Sequence, residues 1–203
     1  MLPHDVDDVK QTGAAMRRLY ALSCWLVAII GMPLFFWPAE TERNFAWTIR
    51  PPVTVAFLGA AYFASFFVVY IGRREPCWAH ARIGWPFAAA FAWLTLLATG
   101  LHFDRFHFGA TFVSVARLIA WTWLGVYIVV PLLQVALGVR QIGLRGGDPL
   151  PSAPMAAVPH GVAAALGLGL LAPGLALFAF PGPVATAVWP WPLTPLTGRA
   201  VAA

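Results

Sequence analysis

The chain reads as an all-α protein: a polytopic transmembrane helix bundle with five complete helices, the start of a sixth, and a parallel internal repeat. Three observations predict this. Hydrophobic residues make up 60% of the 203 and charged residues only 10%, whereas a soluble domain carries about 25% charged residues to cover its surface. Mean hydropathy is +0.75. The apolar residues fall in blocks near or above the ~20 that carry a helix across ~30 Å of hydrocarbon. Strand alternation is absent, and a backbone in lipid must close its hydrogen bonds internally, so the blocks are read as helices.

The blocks cover about 19–37, 52–71, 83–101, 109–139 and 159–180, and another begins near Pro195. They divide the chain into a leader (1–18), a four-helix bundle (19–139), a Pro/Gly-rich linker (140–158) and a second-repeat segment (159–203). The first block follows Arg17 and Arg18 as a signal peptide would. Its leader carries Asp5, Asp7 and Asp8, however, and its end, Phe35-Phe36-Trp37-Pro38, offers no small-residue cleavage site, so it is read as a retained helix. The fourth block is longer than a bilayer needs and is expected to tilt, protrude or bend at Pro131. Pro173 and Gly174 are expected to bend the fifth.

Basic residues set the orientation. Lys10, Arg17, Arg18, Arg73, Arg74, Arg82, Arg140 and Arg145 lie on one side, and Arg43, Arg50, Arg105 and Arg199 on the other. Eight against four places the N-terminus in the cytoplasm. The net charge of +5 is explained by this bias, and no nucleic acid is implied. Twelve of thirteen basic residues are arginine, a bias that suggests a bacterial GC-rich genome and hence an inner (plasma) membrane. Trp37, Trp47, Trp78, Trp85, Trp189 and Trp191 sit at block edges, where indoles anchor at the interface. Cys24 and Cys77 are expected to stay unpaired, since Cys77 falls in a cytoplasmic loop.

Gly31-Met-Pro-Leu-Phe-Phe-Trp-Pro38 aligns with Gly174-Leu-Ala-Leu-Phe-Ala-Phe-Pro181. With one gap, Phe45-Ala-Trp-Thr-Ile-Arg-Pro-Pro-Val-Thr54 echoes Trp189-Pro-Trp-Pro-Leu-Thr-Pro-Leu-Thr197, pairing Trp47 with Trp191, Pro52 with Pro195 and Thr54 with Thr197. Proline is tolerated at the first helical position, and Thr194 is a candidate cap for the last helix. Four crossings separate the copies, so they run parallel. The second copy stops where the first continues into an apolar helix, which predicts that a natural sixth helix runs on beyond Ala203. These two stretches resemble a group of uncharacterised bacterial multipass membrane proteins in which the second motif is followed by a further apolar helix. The resemblance covers about an eighth of the chain and implies no activity.

Few residues offer chemistry. Arg117, inside the fourth block, costs on the order of 1–3 kcal/mol unless it pairs or snorkels. It is read as an interior ligand-binding residue or as the partner of Asp104, with the pair favoured. His102, Asp104 and His107 join the third and fourth helices, and with Glu40, Glu42 and Arg117 they would form one polar outer rim. The histidine spacing matches no metal motif, and His102 and His160 fall on opposite faces, so neither metal nor haem nor another cofactor is expected. Ala56, Ala60 and Ala64, and likewise Gly161, Ala165 and Gly169, are read as packing seams. Gln134 is read as an interhelical hydrogen bond. Catalytic signatures are absent. Three classes remain: a scaffold or accessory subunit, bound to a membrane-protein partner or to copies of itself in the bilayer; a small-solute or ion carrier; and an enzyme acting at the outer rim. The first is favoured, because no acid lies within a span.

Overall fold

The computed structural model describes residues 9–149 and 156–203. Its elements are α1 (Ala14–Phe36), α2 (Thr41–Asn44), α3 (Pro52–Arg74), α4 (Trp78–Ala81), α5 (Trp85–Leu101), α6 (Ser114–Ile142), α7 (Ala157–Ala179), α8 (Pro181–Val188) and α9 (Pro195–Ala202). A single 3₁₀ turn, Arg82–Gly84, joins α4 to α5, so Trp78–Leu101 forms one span. With α1, α3, α6 and α7, that makes five helices long and apolar enough to cross a membrane. The chain is an all-α integral membrane protein.

Helices α1 and α3 pack most closely, because glycine faces glycine. A Cβ on Gly59 would lie 2.6 Å from the Phe35 backbone nitrogen, and one on Gly31 would lie 3.4 Å from the Gly59 carbonyl oxygen. This is the small-residue approach of membrane helices, but Gly31 and Gly59 supply it. Ala60 and Ala64, expected as the seam, are exposed. Gly138 does the same for an indole: the six-membered ring of Trp85 of α5 occupies the space where a Cβ would stand on α6.

The loops gather on two faces. On the leader face, Lys10 N–H donates to the Gly147 carbonyl, Thr12 N–H to Pro76, and Trp78 N–H to Lys10. Buried Gln141 locks this layer, with its Nε2 donating to the Gln11 carbonyl at 2.8 Å and its Oε1 accepting from Gly13 N–H at 2.8 Å. Gly146 turns the chain there at φ +101, with Lys10 backbone within 2.7 Å of where a Cβ would stand. Only glycine meets both demands. On the far face, His107 N–H donates to Ala46, and the Trp191 indole donates to Thr54 Oγ1 at 2.7 Å.

The two stretches aligned in sequence also match in local geometry. A shift of 143 residues carries Ala14–Phe36 onto Ala157–Ala179 and Pro52 onto Pro195. The C-caps match: Trp37 has φ −128 and ψ 58, and Phe180 has φ −126 and ψ 64. Their N–H groups donate to Pro33 and Ala176, again 143 apart. So does the packing, since Gly174 faces the Ala202 carbonyl as Gly31 faces that of Gly59. Thr194 caps α9 through Thr197 N–H at 3.2 Å, as expected. Thr54 accepts from the Trp191 indole and ties the copies together.

Of the six tryptophans expected as interfacial anchors, Trp47 and Trp78 are core residues, at 4% and 3% exposure. Trp37 keeps the anchor character at 61%. Both cysteines are unpaired.

Candidate functional site

The far-face polar residues form four separate contacts. His107 is the most committed. It is 2% exposed, and both ring nitrogens are engaged by the preceding far-face loop. Nδ1 lies 3.0 Å from the Phe45 carbonyl, which can only accept, so Nδ1 carries the proton. Nε2 then accepts from the Thr48 hydroxyl at 3.0 Å. Burial holds this imidazole below the usual histidine range, against the opposing pull of the Phe45 carbonyl and the Glu42 charge. His107 therefore clips two loops together in its neutral form. Around it Phe45, Trp47, Phe106 and Trp123 build an aromatic core with ring centroids 4.7–5.3 Å apart.

His102 follows the C-terminus of α5, where Arg199 of α9 donates through Nη1 to its Nε2 at 2.6 Å. Burial and then the Arg199 charge lower its pKa, with Asp104 opposing. The bond links the last helix of the second copy to the bundle. Glu42 meets Arg50 at 3.7 Å, and Asp104 meets Arg105 at 3.1 Å, both in solvent-exposed pairs. Such pairs contribute about 0–1 kcal/mol. Glu40 is exposed and enters none of these pairs.

The expected Asp104–Arg117 pair is not formed. Asp104 takes its sequence neighbour, and Arg117 makes no ion pair or side-chain hydrogen bond among the described residues. The reason lies in the helix start. Residues 106–113 are spent on the His107 loop, so α6 begins at Ser114 and Arg117 falls in its first turn, half-buried. From a helix end an arginine side chain has only a short way to reach the polar boundary of a bilayer. Among the described residues, no three His, Cys, Asp or Glu side chains gather as metal ligands.

Apart from Gln134, sequence reasoning missed the polar residues inside the bundle. Tyr62 and Tyr127 hydroxyls meet at 2.9 Å in the core, and the Trp123 indole donates to Thr99 Oγ1 at 3.2 Å. Gln134, expected to bond across helices, is 5% exposed, and its Oε1 has no partner among the described residues. Tyrosine in a membrane protein reads equally well as an interfacial anchor, so only depth could have marked this pair. No family model, curated protein or solved structure matches the chain.

Proposed function

We propose that this protein is a membrane scaffold or accessory subunit that offers α7 to a transmembrane helix of a partner protein. The observation that carries the reading is the contrast between the two repeat-related helices. In α1, Met16, Leu19, Tyr20 and Cys24 are buried beneath α3 and α4. A shift of 143 turns them into Pro159, Val162, Ala163 and Gly167, all exposed. Only 6% of the apolar window of α7 is buried, against 28% for α1. The counterpart of α3 is α9, Pro195–Ala202, which leaves this face of α7 uncovered among the described residues, and an apolar helix of a partner is proposed to cover it. The docking face is then Val162, Ala163 and Gly167, and the stripe Gly161, Ala165 and Gly169 corresponds to the outward side of α1.

The rim supports the same reading, because His107 is occupied by a contact between loops and His102 by Arg199 of α9. The carrier alternative loses its main support with Arg117 at a helix mouth. Orientation belongs to the proposal: the basic leader face lies in the cytoplasm, and the membrane is a bacterial inner membrane. The suggested kinship with uncharacterised multipass proteins is kept on the same footing.

The test is cross-linking in native membranes after Cys24 and Cys77 are replaced by serine. Ala163→Cys is expected to give one defined heterologous adduct, and Ala165→Cys little. A self-adduct would replace the partner with a second copy. Equal, weak labelling of both positions would overturn the reading.

A further inference from the structure

We propose that the leader-face end of the α1–α3 hairpin binds the headgroup of an anionic phospholipid from the surrounding bilayer. Four arginines gather there. The Tyr20 ring of α1 lies against Gly72 of α3, with its Cζ 3.2 Å from where a Cβ would stand. Arg17 and Arg18 sit within one turn of that contact on α1, and Arg73 and Arg74 follow it directly on α3. All four are exposed, and none makes an ion pair among the described residues. Two other cations of this face are spent on the protein itself: Arg82 pairs with Asp148 at 2.6 Å, and Lys10 Nζ donates to the Ile142 carbonyl at 2.7 Å.

Two of the four guanidinium groups are already held in place. Arg17 Nε donates to the Thr12 carbonyl at 3.0 Å, which fixes the group by one edge and leaves its two terminal nitrogens without a partner among the described residues. Arg74 keeps its Cζ 5.2 Å from the centroid of the Tyr70 ring. A planar fork held this way suits bidentate contact with phosphate oxygens and loses little freedom on binding. Below the cations the surface turns apolar. Leu22 and Trp25 continue the Arg18 face of α1 into the span, and Ile71 and Phe67 continue the Arg74 face of α3, at the three- and four-residue spacing of one helix side. All four are exposed. Cations at the boundary above apolar side chains match a phospholipid, with its charged head and hydrocarbon tails. The second copy lacks the feature, since a shift of 143 turns Arg17 and Arg18 into His160 and Gly161. The cations are therefore not a demand of the hairpin fold.

Native mass spectrometry of the full-length protein, titrated in detergent with phosphatidylglycerol or with phosphatidylcholine of the same chains, counts the lipids bound. A basic residue against an anionic lipid contributes about fivefold in affinity. With one arginine engaged on each helix, the first phosphatidylglycerol is expected to bind about 25-fold more tightly than the first phosphatidylcholine. Arg17→Gln combined with Arg74→Gln is expected to erase that preference while phosphatidylcholine binding stays unchanged. Arg140→Gln with Arg145→Gln removes the same charge from the same face and should keep the preference within about twofold, because exposed charges away from the site are screened. Equal losses in the two double variants would reduce the effect to diffuse surface charge and overturn the proposal, as would equal affinities for the two lipids in wild type. Asp5, Asp7 and Asp8 lie outside the described residues. Replacing all three by asparagine is expected to leave the preference unchanged, and a marked gain would make the leader the partner of the arginines and overturn the proposal.

Discussion

His107 holds two loops with a neutral ring, and that fixes how the protein responds to acid. Its pKa is pushed down by burial from an ordinary 6.5, so the unfolded chain takes up the proton first as pH falls. Stability is full above about 6.5 and declines below it, and His102 adds in the same direction. Melting in detergent from pH 8 to 5 is expected to show this decline, flattened in His107→Gln. A melting temperature that rises on acidification would contradict the neutral clip. Arg117 makes the opposite case of a conspicuous residue with little structural weight. Arg117→Leu is expected to change stability by less than about 0.5 kcal/mol. Asp104→Asn combined with it should add within about 0.5 kcal/mol. Coupling beyond that margin would restore the ion pair.

At the scale of elements, closeness of approach decides. Gly59 has the Phe35 backbone 2.6 Å from any added Cβ, and backbone cannot swing aside as a flexible side chain can. Gly59→Ala is expected to cost about 1–3 kcal/mol by overpacking, whereas Gly161→Ala, with nothing within 4 Å, should be neutral or slightly stabilising through helix propensity. Matching losses of stability would remove the seam. All five spans were legible because hydrocarbon demands long apolar blocks, and the Pro52 and Pro195 helix starts because proline has few other places in a helix. The seams were not. Ala60 and Gly59 are neighbours in sequence but lie on different faces, and small residues abound in this chain. Nor was the rim legible: Asp104 and Arg117 looked like partners only while residues 109–113 were counted as helix.

At the scale of the whole molecule, the helix pairs α1–α3 and α7–α9 match in local geometry and share one bundle, the first covered and the second bare along α7 among the described residues. Its sidedness is testable at two exposed positions, since Gly147 has open space where Gly146 has none, and Glu40 is exposed where Thr41 is buried. In a Cys24→Ser, Cys77→Ser background, Gly147→Cys is expected to be shielded from an impermeant thiol reagent in intact cells and Glu40→Cys to react. The reverse pattern would invert the orientation. The central claim, that α7 is built to be covered as α1 is, meets its most direct test in a spin-label accessibility scan of residues 158–172 in native membranes. Collision rates with a lipid-soluble relaxant should dip at Val162, Ala163 and Gly167 and peak near Ala165, with helical period. Uniform lipid exposure around the whole helix would contradict it.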